Sequence, residues 1–420
     1  MSIDTVLLSR LLVQCFLLGL QRLYVAGGPQ GSICRSSEHS VFLVQNHLAS
    51  HFQHITNPGS GWVNRRALSM FLIGIRPLKR CPTVACKSVQ KPKGAPMEGR
   101  ADFEGNYSMD QDILRKLEER LGPLPARQRL GIETDQEAQI FGQSLLSFHI
   151  GNWYPVHSVI RNTLKLTGLY WRARRNTERI LVKRNDVMFK ELPPLFDGFT
   201  ILHLSDMHVD MNEGAMRRLI ELVDGMRYDL CVLTGDYRGK TFGPFAATLE
   251  GVARVRAHLK EPVYGVLGDH DTVQMVPGLE AMGIRMLLNE CAVIVRAAQQ
   301  IYLAGIDDAH RFGVDSIEKA ALQIPYGEFS ILLSHTPEIY RQAAHADFNL
   351  LLSGHTHGGQ ICLPGSIPII LDSVLPRRMG AGAWQYHHMS GYTSVGAGSS
   401  VVPVRLNCSP EITLHCLRRG

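Results

Sequence analysis

The fold of this chain is decided by a short stretch near its middle, which reads FTILHLSDMH from residue 199 to residue 208. The apolar residues 199–204 predict a buried β-strand. Two polar residues, Asp206 and His208, follow directly after it. Residues two apart lie on the same side of an extended segment, so both side chains could bind one metal ion.

The same arrangement, an apolar strand that ends in aspartate or histidine, recurs four times downstream. Ligands of open α/β sheets bind at the carboxyl ends of the strands, so these residues are expected to meet at one rim. One occurrence would mean little, whereas five in order predict a site. The later strand ends are Gly235-Asp236 after residues 230–233, Gly268-Asp269-His270-Asp271 after 263–267, Ser334-His335 after 331–333, and Gly354-His355-Thr356-His357 after 350–352.

The residue types at these strand ends favour a transition metal. Mixed carboxylate and imidazole ligands suit Mn, Fe, Zn or Co better than Ca or Mg. The glycines Gly235, Gly268 and Gly354 allow the backbone to bend and to approach its neighbours closely. The pattern therefore predicts a metal site whose ion is drawn from this group.

From residue 179 onward the chain first indicates strands and then alternates between helix and strand, which predicts an α/β fold. The strands before the five polar segments are short and apolar throughout, as expected for buried strands. The other predicted elements are helices at 215–223 and 245–259, a hairpin formed by 292–296 and 301–305, and strands at 393–395 and 411–414.

The ordered series of polar segments resembles the signature of the calcineurin-like metallophosphoesterases. That signature runs Asp-x-His, Gly-Asp, Gly-Asn-His, His and Gly-His-x-His, and this chain has DMH, GD, GDH, H and GHTH in the same order. The continuation HGGQI from residue 357, with Leu363-Pro364 after it, is similar to the YaeI-like phosphodiesterase branch and to transmembrane proteins with a metallophosphoesterase domain. The resemblance covers residues 179–417 and says nothing about residues 1–150.

The resemblance implies a fold and a set of roles. The fold would be a four-layer αββα sandwich of two mixed β-sheets flanked by helices, with an N-terminal extension. The centre would hold two divalent metal ions, and His270 would lie beside the phosphate as general acid or as a hydrogen-bond donor. The implied ligands are Asp206, His208 and His357 for the first ion, Asp236 between the two, and Asp269, His335 and His355 for the second.

The chain departs from the signature at Asp269, where the family has asparagine. A carboxylate can occupy the place of the amide oxygen, but it adds a full negative charge to the centre. A less positive centre attracts an anionic phosphoester less and is a weaker Lewis acid. On the sequence alone, Asp269 is expected to keep the metal and to slow turnover, and Asp269→Asn is expected to raise turnover.

Charge divides the chain into two halves. The first 197 residues hold 26 Lys and Arg against 16 Asp and Glu, and the remainder holds 18 against 22. Residues 1–96 lack a packing pattern and are interpreted as a poorly ordered leader; a natural start at Met97 or Met109, which the sequence leaves open, would make this leader non-native. Residues 97–178 are interpreted as a helical basic extension, with helices at 110–121 and 136–149, and residues 179–420 as the metallophosphoesterase domain.

The segment 157–185 carries eight Lys and Arg and one Glu, interleaved with apolar and aromatic residues. Such a pattern is typical of a helix at an anionic membrane surface. It is equally typical of a helix that packs on the catalytic domain with its basic face in water. Nucleic acid is a weaker alternative, because no nucleic-acid-binding module is recognisable. We expect a cytoplasmic protein that binds peripherally to the inner face of the membrane.

Several residues near the motifs leave more than one interpretation open. Asp271 could orient His270 or cap a helix. Tyr237, Arg238 and Lys240 could touch substrate or lie in a solvated loop. The histidines outside the five segments are interpreted as structural: His203, His258, His310, His345, His387, His388 and His415.

The function that the sequence predicts is metal-dependent hydrolysis of a phosphoester, with a diester preferred over a monoester. The resemblance, together with the basic segment, points to a membrane-associated substrate such as a UDP-diacylglucosamine-type lipid precursor. The alternatives are a metal-binding regulatory protein whose catalysis Asp269 has weakened, and a nuclease of the same fold. The sequence does not define an oligomeric state.

Overall fold

The computed structural model describes residues 111–142 and 154–420. Their centre is formed by two six-stranded mixed sheets. The strands are β1 Leu181–Phe189, β2 Thr200–Leu204, β3 Leu230–Leu233, β4 Val263–Gly265, β5 Ile284–Met286, β6 Glu290–Arg296, β7 Gln299–Gly305, β8 Ser330–Leu333, β9 Leu350–Ser353, β10 Cys362–Leu363, β11 Ile367–Pro368, β12 Gly382–Tyr386, β13 Met389–Thr393 and β14 Glu411–Arg419. The α-helices are α1 Gln111–Leu121, α2 Pro123–Gly142, α3 Tyr154–Leu166, α4 Tyr170–Asn176, α5 Glu213–Val223, α6 Ala246–Arg256, α7 Val276–Ala281, α8 Ile317–Ala321 and α9 Tyr340–His345.

Each sheet has a parallel centre. The first has the strand order β1-β14-β2-β3-β4-β5, in which only the β14–β2 pair is antiparallel. The second has the order β12-β13-β9-β8-β7-β6 and is antiparallel only at its two outer pairs. The strands β2, β3 and β4 of one sheet, and β8 and β9 of the other, therefore end at common edges, where the polar residues follow.

Side chains that alternate along each strand separate the layers. Ile201 belongs to the cluster between the two sheets, together with Ile331 and Leu352 of the second sheet. Its neighbour Leu202 points the other way, into a cluster that includes Leu219 of α5. Because successive strand residues face opposite sides, one apolar run fills two layers at once. The predicted four-layer αββα architecture with two mixed sheets is confirmed.

The helices before the sheets pack on the domain. Leu117 of α1 and Leu130 of α2 lie in the same cluster as the outer face of the first sheet. Leu164 of α3 and Tyr170 of α4 pack against the segment 401–406. Among the residues with assigned structure, no helix combines the length and the apolar character that a bilayer crossing requires.

Most of the predicted elements are present, with a few differences at the front of the chain. The helix predicted at 110–121 is α1. The second helix was expected at 136–149 but α2 begins at Pro123, because proline is tolerated in the first turn of a helix, where its missing N–H has no partner to lose. The basic segment 157–185 forms two helices separated by Gly168, which has φ of +71°, and then the start of β1. The interpretations of residues 1–96 and 143–149 lie outside the described residues.

Candidate metal centre

The five polar segments meet at one edge of the two sheets, as their order in the chain predicts. Five of the seven expected ligands have positive φ: Asp206 at 49°, His208 at 40°, Asp236 at 56°, His355 at 69° and His357 at 50°. This conformation is unfavourable for residues other than glycine, and it concentrates at functional sites that the surrounding fold holds in place. The sharp bends after the strands turn these side chains towards one another.

The first group of side chains consists of Asp206, His208, Asp236 and His357. All four are buried, and one donor atom of each lies within 4.8 Å of the others. The Nε2 atoms of His208 and His357 are 3.1 Å apart, and His357 Nε2 is 3.5 Å from Asp206 Oδ1. These distances between donor atoms are short enough for one ion to contact all four side chains.

The second group consists of Asp269, His335 and His355, again buried and within 4.8 Å of one another. Asp269 Oδ1 lies 3.2 Å from His335 Nε2 and 3.1 Å from His355 Nδ1. The carboxylate of Asp236 lies between the two groups, with Oδ2 3.6 Å from His208 Nε2 and Oδ1 3.5 Å from His335 Nε2. The arrangement suits a pair of ions that share Asp236.

Hydrogen bonds fix which ring nitrogens face the centre. His208 Nδ1 donates to the carbonyl of Arg238 at 2.7 Å, and His335 Nδ1 donates to the carbonyl of Thr234 at 2.8 Å. Each bond leaves Nε2 of the ring facing the carboxylate of Asp236. Metal-binding histidines are usually oriented in this way by a second hydrogen bond. The donor set and its orientation therefore fit transition-metal ions.

Burial moves the pKa values of the cluster in opposite directions. Burial, together with the nearby His270, lowers the pKa of His208 to about 3. Burial raises the pKa of Asp236 well above its usual value. Burial alone would lower the pKa of His335, but Asp236 and Asp269 raise it well above the usual range. Metals bind neutral imidazole and ionised carboxylate, so metal uptake by this cluster would release protons.

His270 lies next to both groups without being one of the seven. Its Nδ1 is 3.1 Å from the hydroxyl of Thr241, and its backbone N–H donates to Asp236 Oδ1 at 3.0 Å. Burial, against the opposing effect of Asp269, lowers the pKa of His270 to about 4, so the ring is neutral at physiological pH. Asp236, Asp269 and His270 also lie within 4.8 Å of one another.

Asp271 has neither of the roles that the sequence left open. Its carboxylate accepts from the backbone N–H groups of Asp236 at 2.8 Å, Gly268 at 2.9 Å, Tyr237 at 3.0 Å and Arg238 at 3.4 Å. It therefore joins the loop after β3 to the loop after β4, which carry Asp236 and Asp269. Sequence reasoning could not find this role, because it depends on the contact between two loops.

The glycines in the motifs allow the close approach that the sequence predicts. A Cβ atom at Gly354 would lie 1.8 Å from Ser205 Oγ and 2.3 Å from Asp206 Oδ2. A Cβ atom at Gly268 would lie 2.2 Å from Asp236 Oδ1. No side chain fits at either position without moving a metal-site carboxylate.

Two buried or nearly buried arginines at the site have no motif in the sequence. Arg311 contacts Asp269 Oδ2 through Nε at 3.2 Å and through Nη2 at 3.1 Å. Arg405 is fully buried, and its Nη1 donates to the carbonyl of His357 at 2.9 Å. The backbone of Arg405 is bonded to α4, through N–H to Ala173 O at 2.8 Å and through its carbonyl to Asn176 Nδ2 at 3.0 Å.

Helix α2 reaches the loops behind the second group. The carboxylate of Glu133 accepts from Thr272 Oγ1 at 2.6 Å and from the N–H of Val273 at 2.9 Å. Gln136 donates to the carbonyl of Arg311 at 3.1 Å. The loop after β4 and the loop that carries Arg311 are thus both bonded to this helix.

The remaining predicted residues lie in different surroundings. Tyr237 and Arg238 are buried, whereas Lys240 is exposed. His203 and His415 are buried in the first sheet, and His203 Nδ1 lies 3.3 Å from His415 Nε2. Such surroundings are expected of structural histidines. His310 lies beside the second group: its ring centroid is 4.2 Å from that of His355, and its Nδ1 is 3.0 Å from Glu338 Oε2.

Comparison with known proteins gives a consistent result. Residues 199–359 match the family model described as calcineurin-like phosphoesterase. An uncharacterized metallophosphoesterase of Bacillus subtilis, YkoQ, is 30% identical over 258 residues, which are 58% of this chain and 93% of YkoQ. The phosphodiesterase YaeI of Escherichia coli is 27% identical over 232 residues, 51% of this chain and 81% of YaeI.

A transmembrane protein with metallophosphoesterase domain from Danio rerio is 29% identical over 255 residues, which are 56% of each chain. This chain thus spans about half the length of that relative and nearly all of YkoQ. The ordered motifs, the two-sheet fold and the paired groups of buried aspartate and histidine agree with these matches. The chain belongs to the calcineurin-like phosphoesterase family and is a hydrolase of phosphoesters.

Proposed function

We propose that the protein is a phosphodiesterase whose seven buried side chains hold two divalent ions. The observation that carries this proposal is the pair of donor groups, each within 4.8 Å, with Asp236 between them. The residues are Asp206, His208, Asp236 and His357 for one ion, and Asp236, Asp269, His335 and His355 for the other. Mn, Fe, Zn or Co suits this donor set.

Two bound ions supply Lewis-acid polarisation of the phosphoryl oxygens and activation of water at neutral pH. The protein side chains orient the substrate and handle its protons. His270 is held by Thr241 through Nδ1, which leaves Nε2 free to donate to a phosphate oxygen or to the leaving group. A fixed hydrogen-bond donor of this kind typically contributes about 10²- to 10³-fold to the rate.

The preference for a diester rests on the similarity to YaeI, which is named as a phosphodiesterase. An assay with a diester and a monoester tests it. Metal-stripped protein is assayed with bis(p-nitrophenyl) phosphate and with p-nitrophenyl phosphate, with and without Mn²⁺. We expect turnover that requires metal and is faster with the diester. Faster hydrolysis of the monoester would contradict the preference, and absence of turnover despite bound Mn²⁺ would favour a regulatory metal-binding protein.

We further propose that the substrate is presented at a membrane and is lipid-linked, for example a precursor of the UDP-diacylglucosamine type. The apolar residues of α3 and α4 are only partly covered by the domain. Leu164 and Tyr170 pack on the segment 401–406, but Leu166 is 88% exposed and Trp171 is 69% exposed. An exposed tryptophan beside cations suits the interface of an anionic membrane.

The cations of this surface lie next to the exposed apolar residues. Arg172, Arg174 and Arg175 of α4 are all exposed. Each could contribute about 1 kcal/mol near an anionic surface. The same helix is bonded through its backbone to Arg405, which contacts His357. Arg405 therefore contacts both the helix of the proposed membrane surface and His357 of the metal centre.

Co-sedimentation with vesicles tests the membrane proposal. Phosphatidylglycerol vesicles should bind the protein more strongly than phosphatidylcholine vesicles, and added salt should weaken the binding. Changing Arg172, Arg174 and Arg175 to Glu should abolish it, whereas Arg217→Glu and Arg218→Glu on α5 serve as a matched control because both are exposed. Equal binding to neutral and anionic vesicles would contradict the proposal. Tight, salt-dependent binding of DNA by the same arginines would instead favour the nuclease alternative.

A further inference from the structure

Arg311 is paired with Asp269, the residue at which this chain departs from the metallophosphoesterase signature. Both contacts of its guanidinium, at 3.2 and 3.1 Å, are to a single oxygen of Asp269, Oδ2. The other oxygen, Oδ1, is the one that faces His335 and His355. The two carboxylate oxygens of Asp269 thus have different partners. Oδ1 faces the two histidines of the second group, and Oδ2 is paired with the positively charged guanidinium of Arg311.

We propose that Arg311 is a positioning residue that makes Asp269 equivalent to a neutral amide ligand. An asparagine at this position would present one oxygen to the metal and would direct its NH₂ group away. The Asp269–Arg311 pair has the same form, since one oxygen is offered and the other side carries donors. The charge of the carboxylate is balanced within the pair, so the centre keeps the electrostatic character that the signature residue provides. This inference rests on the proposed two-metal function.

The surroundings of Arg311 indicate that its position is fixed. Its side chain is only 13% exposed, and its backbone N–H donates to Asp308 Oδ2 at 2.7 Å. The carboxylate of Asp308 also accepts from the N–H of Phe312 at 2.7 Å, and Gln136 of α2 donates to the carbonyl of Arg311. The guanidinium of Arg129 lies 3.5 Å from the centre of the Phe312 ring. A guanidinium on a loop held from both sides loses little freedom when it pairs with a carboxylate.

The pair changes what substitution of Asp269 alone should do. On the sequence alone, Asp269→Asn removes an excess negative charge and raises turnover. With Arg311 in place, the same change leaves a nearly buried guanidinium without its partner and adds positive charge beside the cation site. Metal affinity should then fall. The change that restores a balanced site is the double substitution Asp269→Asn with Arg311→Gln.

A double-mutant cycle with two readouts tests the inference. Mn²⁺ binding to metal-stripped protein is measured by calorimetry, and kcat and KM are measured with bis(p-nitrophenyl) phosphate at saturating Mn²⁺. R311Q should bind Mn²⁺ about tenfold more tightly, because a neighbouring positive charge is lost, yet its kcat should fall about tenfold or more. D269N should bind Mn²⁺ about tenfold more weakly. The double variant should return within about threefold of the parent in both readouts.

The outcomes separate this inference from the proposed function. Parent protein that neither binds Mn²⁺ nor hydrolyses the diester would overturn both. If the parent is active and the double variant is as slow as R311Q, Arg311 does not act through Asp269, and the inference is wrong. Loss of Mn²⁺ affinity and of thermal midpoint together in R311Q would show a purely structural role and would also overturn it. R254Q, which breaks the exposed pair of Arg254 with Glu213, controls for the loss of an arginine.

Discussion

The carboxylate of Asp271 joins two loops of the metal centre by accepting hydrogen bonds from their backbone N–H groups. Replacement of Asp271 by asparagine would remove one of its two accepting oxygens. Oδ2 accepts from the N–H groups of Asp236 and Gly268 at 2.8 and 2.9 Å, and Oδ1 from those of Tyr237 and Arg238 at 3.0 and 3.4 Å. An amide has one accepting oxygen, and its NH₂ group would face two further N–H donors. The shape of the side chain is kept, so the change isolates the loss of the acceptor.

The expected magnitude follows from these contacts. Two hydrogen bonds to a charged acceptor are lost, each worth about 1.5–3 kcal/mol. Burial raises the pKa of Asp271, which means that the charge itself carries a desolvation penalty that the amide avoids. Because the amide avoids this penalty, the net loss lies near the lower end of the range for two such hydrogen bonds. We expect the free energy of unfolding to fall by about 3 kcal/mol. A domain with a total stability of about 5–15 kcal/mol would survive this loss.

Urea unfolding of the metal-free protein, followed by circular dichroism, measures the effect. The midpoint should fall by about 1 M or more. Binding of Mn²⁺ should weaken as well, because Asp236 and Asp269 lie on the two loops that Asp271 joins. Asp224→Asn is the matched control, since its carboxylate is 68% exposed and contacts His258. Unfolding of the Asp271→Asn protein within about 0.5 kcal/mol of the parent would refute the assigned role.

Three further predictions concern the metal and the phosphate. Gly354→Ala should weaken Mn²⁺ binding about tenfold or more by calorimetry, because the new Cβ would displace Asp206 and Ser205, whereas Gly131→Ala, with open space around it, should bind as the parent does. His270→Gln should lower kcat about 10²-fold or more and leave the Mn²⁺ stoichiometry unchanged; loss of one ion would instead make His270 a ligand. Dialysis against a chelator should abolish diester turnover, and Mn²⁺ should restore it; turnover that persists without metal would contradict a two-metal mechanism.

The seven predicted ligands lie close together in the structure because each of them follows shortly after a buried strand. A short apolar run and the polar residue that ends it are local features, and the parallel order of the strands brings the ends together. The same logic explains why β5 and β12 were not predicted. The three residues of β5 include the exposed Arg285 at their centre, and in β12, at the edge of its sheet, only Trp384 is buried.

Residues that act on the centre from a distance were not predictable in this way. Arg311 is 42 positions from Asp269, and Arg405 is 48 positions from His357. Neither follows a strand in a recognisable motif, and each acquires its partner only when loops from different parts of the chain meet. Asp269 shows the consequence, because its extra charge was visible in the sequence and the charge that balances it was not.

Helix α2 gives the domain a boundary that differs from the boundary of its motifs. The family match begins at residue 199, yet Leu130 of α2 is part of the sheet-side core, and Glu133 and Gln136 hold loops that belong to the site. A chain shortened to the matched segment would retain all seven predicted ligands and still lack the support for two of their loops. The packed core and the matched segment thus have different limits, because the residues that support the site loops begin before residue 199.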